Sequence, residues 1–63
     1  MYLTEVSFQD ELVAHTITED LSTSVHFANS VAFRGYSVDI HEAVKGVDST
    51  IEKVNLVLSW VQD

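Results

Sequence analysis

The sequence of 63 residues has no cysteine and no proline, and it contains only two glycines and three Lys or Arg residues. The absence of cysteine excludes a disulfide framework and any thiol nucleophile. A chain this short buries only about 60% of its unfolded surface, so we expect self-association to add stability. At 46% hydrophobic residues, the chain is nevertheless too apolar to be disordered. Residues 1–63 are therefore predicted to form a single small domain.

The shortage of basic residues restricts the class of partner. Arg34, Lys45 and Lys53 are too few and too scattered for the basic footprint of a nucleic-acid-binding protein. Ten acidic residues give a net charge of −7, which is compatible with binding a basic protein surface, with mimicry of nucleic acid, or simply with solubility. We predict a protein partner and no nucleic acid, and leave mimicry or solubility open.

Signals for membrane targeting are also missing. Residues 1–8 lack the basic start and apolar core of a signal peptide. No run approaches the ~20 apolar residues of a membrane span. We expect a cytoplasmic protein without a membrane partner.

Motifs that carry chemistry are absent as well. There is no Gly-x-Ser-x-Gly and no phosphate-binding loop. His15, His26 and His41 lack the His-x-x-x-His spacing of helical metal ligands, and His15 and His41 could share a site only if the second and third strands were neighbours. We predict no enzyme activity, no metal and no cofactor.

The best-defined stretch runs from Glu19 to Glu42. Apolar residues recur at helical spacing after an acidic start, which predicts a helix over 20–34 that ends near Arg34 and Gly35. The face of this helix is predicted to comprise Leu21, Val25, Ala28 and Ala32. From Tyr36 the period becomes two, which is typical of a half-buried strand.

Two strands precede this helix. Residues 2–8 and 12–18 alternate in the manner of strands joined by a polar turn of hairpin length. In the second strand, the face with Val13, His15 and Ile17 is the better core candidate. The turn type stays open because no glycine is present.

Residues 50–61 fit two structures. Ser49 and Glu52 form a capping box after a linker at 44–48, which favours a C-terminal helix. The apolar stripe of that helix would comprise Ile51, Val54, Val57, Leu58 and Val61. The β-branched residues also fit a fourth strand. With the helix, the predicted fold is α+β: a three-stranded antiparallel or mixed sheet in β-β-α-β order, with one helix packed across it and another at the C-terminus.

The hairpin followed by EDLSTSVHFANSVAFRGYSVDIHEA resembles small phage-encoded proteins that bind and inhibit host proteins. The shared pattern is a hairpin, a helix with spaced alanines, a Gly-aromatic pair and a strand, over residues 2–43. The resemblance implies a small binding module. No functional residue is carried over, because the matching strand here carries Asp39, His41 and Glu42 where those proteins use basic residues.

Two surfaces are candidates for a partner. On a C-terminal helix Trp60 and Leu56 would lie together, with the composition of a binding hot spot. Burial of Trp60 in the protein's own core or in a homodimer is the favoured explanation, because a short chain needs the added stability. An acidic sheet face is the second candidate, and its predicted members are Glu5, Asp39, His41 and Glu42.

We therefore expect a non-enzymatic protein-binding module, an inhibitor of a bacterial host protein encoded by a phage or mobile element. Its partner would present a basic surface. It would also form homodimers or higher oligomers through the C-terminal helix. The alternative is a structural protein whose function is homo-oligomeric assembly.

Overall fold

The computed structural model describes residues 1–31 and 35–61, and of Val31 only the backbone. The elements are β1 (Tyr2–Phe8), β2 (Glu11–Thr18), α1 (Leu21–Val31), β3 (Tyr36–Lys45) and β4 (Ile51–Val61). The strands form one four-stranded sheet in the order β2-β1-β3-β4, and every neighbouring pair is antiparallel. Within the described residues, no helix has the length and apolar character needed to cross a membrane.

The β1–β2 hairpin turns on Gln9 and Asp10, which have φ values of 53° and 67°. Positive φ at both central residues is the mark of a type I′ turn, whose twist matches that of the flanking strands. Asp tolerates this conformation better than most residues. The turn therefore forms without glycine.

Helix α1 begins at a side-chain cap. Asp20 Oδ1 accepts a hydrogen bond of 2.7 Å from the Thr23 backbone N–H, and Asp20 Oδ2 accepts one of 3.0 Å from the Thr23 hydroxyl. These bonds satisfy one of the free N–H groups at the helix start. The predicted acidic start is thus confirmed.

The passage from α1 to β3 depends on Gly35, which has φ of 90°. A Cβ atom there would lie 2.9 Å from Phe8 Cε2, so only glycine fits without displacing that ring. The predicted left-handed conformation of Gly35 is confirmed. The predicted helix end at Arg34, and the place of Ala32 on the helix face, lie outside the described residues.

α1 packs across one face of the sheet, which we call the helix side; we call the opposite face the outer face. The core between α1 and the sheet is small, and Val6, Ala28, Val38 and Ile40 are its buried members. Partly buried side chains packed around it are Tyr2, Ala14, Leu21, Val25, Phe27, Tyr36 and Trp60.

The predicted three-stranded sheet with a C-terminal helix is wrong, because residues 51–61 form strand β4 paired along β3. The proposed capping box is a hairpin turn instead: Ser49 has φ of 69°, and Gly46 and Thr50 are joined by a backbone hydrogen bond of 2.8 Å. The predicted linker at 44–48 is displaced by two residues, since β3 continues to Lys45 and β4 begins at Ile51.

The physical reason lies in two register shifts, between Ile40 and His41 and between Glu42 and Ala43 of β3. At each shift β4 contains one extra residue, Val57 and then Val54. Such bulges turn the strand spacing of two into a spacing of three. The same-face residues spaced in this way are Lys53, Leu56 and Ser59, whereas the predicted stripe includes the bulge residues Val54 and Val57 themselves. The stripe is therefore not one face of β4, and its β-branched side chains favour the strand.

Candidate functional site

The outer face contains an open depression of about 280 Å³. No helix among the described residues packs on this face, since α1 lies across the other. The depression is lined by Leu3, Glu5, Leu12, His15, Ile17 and Ile51. Four aliphatic side chains thus surround a carboxylate on a surface that is open to solvent.

Strand pairing brings these residues to one face. Cross-strand partners in a sheet project to the same side, and Leu3 pairs with Ile17 while Glu5 pairs with His15. A register shift at Val6 and Ser7 places Leu12 opposite Ser7. Because side chains alternate along a strand, the side chains of these β1 and β2 residues project from the outer face, whereas that of the buried Val6 projects from the helix side.

Ile51 also lines the depression, although it belongs to β4, the edge strand on the opposite side of the sheet from β2. It pairs with Lys45 at the end of the β3–β4 hairpin. The nearby Ala43 is only 3% exposed although it lies on the outer face, and its N–H donates a 2.9 Å hydrogen bond to the Met1 carbonyl. The outer face is therefore partly packed at this end.

Glu5 is the polar centre of the outer face. Its Oε1 lies 3.2 Å from His41 Nε2 and 3.2 Å from Lys53 Nζ. His41 and Lys53 come from β3 and β4, so three neighbouring strands contribute to this cluster. Within this cluster, the positive charge of the Lys53 ammonium group offsets the negative charge of the Glu5 carboxylate.

Asp39 lies beside this cluster, opposite Glu5 in the β1–β3 pairing. Its Oδ1 accepts a hydrogen bond of 2.5 Å from the Ser59 hydroxyl. The structure therefore brings Glu5, Asp39 and His41 together on one face, as the sequence pattern predicts. Both carboxylates already have partners within the protein.

Glu42 does not lie on the outer face with Glu5, Asp39 and His41. It follows His41 directly and pairs with Tyr2, so strand alternation places it on the helix side. The other exposed acids in the described part of the chain are at turns and strand ends, and they are Asp10, Glu11, Glu19, Asp20, Asp48 and Glu52. Most of the negative charge of the described residues therefore lies at turns and strand ends rather than on the outer face.

Trp60 and Leu56 are also separated. Trp60 pairs with the buried Val38 and packs against the core on the helix side. Leu56 pairs with His41 on the outer face and is 57% exposed. The prediction that Trp60 and Leu56 lie together in one hot spot is thus wrong, because it required a helix at residues 51–61.

The aliphatic residues around Glu5 were missed by the sequence reasoning, which assigned the face of β2 with Val13, His15 and Ile17 to the core. In the structure Ile17 is 45% exposed on the outer face. The core of β2 comprises smaller residues, with Ala14 packed under α1. The pairing of Leu3 with Ile17 across the hairpin was the available signal for the depression.

The histidines do not form a site of their own. β1 lies between β2 and β3, so His15 and His41 are on opposite flanks of Glu5. Within residues 1–31 and 35–61, no three His, Asp or Glu side chains are grouped closely enough to hold a metal ion.

Comparison with known proteins gives no relative: no family description, no curated protein and no solved structure matches the chain.

Proposed function

We propose that the protein is a non-enzymatic protein-binding module that contacts its partner through the outer face of the sheet. The observation that carries the proposal is the open depression in which Leu3, Leu12, Ile17 and Ile51 surround Glu5. A contiguous patch of exposed apolar side chains is a common feature of protein contact surfaces.

The partner is expected to insert an aliphatic or aromatic side chain into this depression. Burial of apolar area supplies most of the binding free energy, because Glu5 and Asp39 are already paired with Lys53 and Ser59. The exposed acids at the turns and strand ends attract basic groups of the partner and speed association, an effect that salt weakens. The proposed setting is the cytoplasm, and inhibition of a bacterial host protein is the specific role that the phage-like sequence pattern favours.

The test compares two matched lysine variants. Ile17 and Val44 are both β-branched, are 45% and 48% exposed, and lie on the outer face and the helix side of the sheet respectively. Ile17→Lys places a charge in the depression, whereas Val44→Lys makes the same change in net charge elsewhere. Wild type and both variants are immobilised, and bacterial lysate is applied at low salt.

The expected result is a specific partner that wild type and Val44→Lys retain and Ile17→Lys loses, with binding weakened at least about tenfold. Circular dichroism establishes that both variants are folded. Equal retention by Ile17→Lys would contradict the outer face as the contact surface. The absence of any specific partner at low salt would contradict the proposed function itself.

A further inference from the structure

We propose that β4 pairs through its free edge with β4 of a second copy, in antiparallel orientation, so that two chains form one continuous sheet of eight strands. This inference does not rest on binding through the outer face. It concerns a different part of the molecule, the edge formed by residues 54–61.

The first observation is the unpaired backbone. β4 is 11 residues long and bonds only to β3, because it is the last strand in the order β2-β1-β3-β4. Its other side presents free N–H and C=O groups, and such an edge is a ready template for another strand. Within the described residues, the main contacts of α1 are with β1, β2 and β3, and every residue of β4 except Ile51 and Trp60 is exposed.

The second observation is the side chains along this edge. The exposed aliphatic residues of β4 are Val54, Leu56, Val57, Leu58 and Val61. Residues 54–61 contain no charge and no proline, which are two of the usual means of protecting an edge. Bulges are a third means and are present at Val57 and Val54, but they leave the apolar surface exposed.

The third observation favours a second copy as the occupant. Each chain has a net charge of −7, so two copies can approach closely only where acids are absent. Residues 54–61 are such a place, whereas Glu52 lies just before them. Antiparallel pairing of a strand with itself also satisfies two-fold symmetry, in which the same surface serves both partners.

The expected size of the contact agrees with a dimer. One hydrogen bond per paired residue, reduced by the bulges, gives about six to eight main-chain bonds across the edge. A typical protein interface contains about ten. The two-fold axis is perpendicular to the sheet, so both helices lie on one face of the dimer and both depressions on the other.

The other edge of the sheet provides a matched control. β2 is shorter, with 8 residues, and its exposed Leu12 corresponds to Leu56 on β4, since the two leucines are 50% and 57% exposed. Leu56→Lys and Leu12→Lys therefore make the same change in chemistry and net charge on opposite edges. A lysine on an edge strand opposes pairing with another strand.

The experiment measures mass in solution by sedimentation equilibrium from about 10 µM to about 1 mM chain, with circular dichroism to establish folding. We expect wild type and Leu12→Lys to form a 14 kDa dimer, twice the 7.0 kDa chain, and Leu56→Lys to dimerise at least about tenfold more weakly. Amide hydrogen exchange of wild type should show protection of residues 54–61 that increases with chain concentration.

Three results would overturn the proposal. Wild type could remain a monomer throughout, with exchange at residues 54–61 independent of concentration. Dimerisation could be lost in Leu12→Lys and kept in Leu56→Lys, which would assign the contact to β2. Open-ended growth blocked by either variant would indicate β2 joined to β4 in a repeating chain. The hydrogen-exchange measurement needs no variant, so it decides the question even if a lysine variant fails to fold.

Discussion

Glu5 determines the electrostatic character of the outer face. Its carboxylate accepts from Lys53 and lies at the same distance, 3.2 Å, from His41. Pairs of this kind near a surface contribute little to stability, about 0–1 kcal/mol. Their larger effect is on binding, because a basic side chain of a partner must compete with Lys53 for the carboxylate. Apolar contact is therefore the better source of affinity at this site.

Thr4 is a buried polar residue in an unfavourable environment. Its side chain is 0% exposed, and its hydroxyl has no hydrogen-bond partner within the described residues. It lies on the helix side, opposite Thr16 of β2. An unsatisfied buried hydroxyl costs about 1–3 kcal/mol.

Replacement of Thr4 by valine should therefore stabilise the protein. Valine has the same shape, keeps the β-branch that suits a strand, and removes the polar atom. We expect Thr4→Val to raise the free energy of unfolding by about 1 kcal/mol, measured by urea denaturation. Thr16→Val is the control, since Thr16 is only partly buried, and its effect should be within about 0.5 kcal/mol. A destabilised Thr4→Val protein would indicate that the hydroxyl is satisfied.

At the scale of elements, the start of α1 depends on Asp20. The hydrogen bonds from the Thr23 backbone and hydroxyl hold the pKa of its carboxyl below the usual value of 3.8. A pKa that is lower in the folded state means that the ionised form stabilises the fold. This contribution is present above the unfolded pKa and is lost as the pH falls through the folded one.

The variant Asp20→Ala should accordingly be less stable than wild type at neutral pH, and the difference should shrink as the pH falls below 3.8. Glu19→Ala is the matched control, because Glu19 is an adjacent exposed acid and its removal changes the net charge equally. Urea denaturation as a function of pH measures both. A difference between Asp20→Ala and wild type that stayed constant through the acid range would contradict the capping role.

The elements differ in how far the sequence could predict them. Local signals sufficed for the hairpin, for the cap at Asp20 and for the left-handed conformation of Gly35, because each depends on neighbours in the chain. β4 depends on pairing with β3 and on bulges at Val57 and Val54. No local pattern contains that information, and the capping box at Ser49 favoured the wrong structure.

In the candidate site, too, local pattern could predict some features and not others. Alternation along β3 could place Asp39 and His41 on one face, and this was predicted. The sequence could not show that Lys53 would reach Glu5 from β4, nor that Ile51 would complete the depression, because both require the β3–β4 register. The small size of Ala14 made its face of β2 a poor core candidate until α1 was seen to cover it.

At the scale of the whole molecule, α1 covers one face of the sheet, and within residues 1–31 and 35–61 no helix covers the outer face. The principal dimensions are 38 × 23 × 16 Å, and the longest agrees with strands of 10 and 11 residues in the β3–β4 hairpin. A single helix of 11 residues cannot cover both sides of such a sheet. The open depression and the free edge of β4 are two separate results of having one short helix against a four-stranded sheet.

The most direct test of the central claim is chemical-shift mapping of the isotope-labelled protein as a partner captured by wild type is added. We predict that the largest shifts occur on the outer face, at Leu3, Ile17 and Ile51, and that the exposed residues of α1 change little. Val44→Lys should give the same map, and Ile17→Lys should give none at the same partner concentration. Shifts concentrated on α1, with the outer face unchanged, would contradict the account.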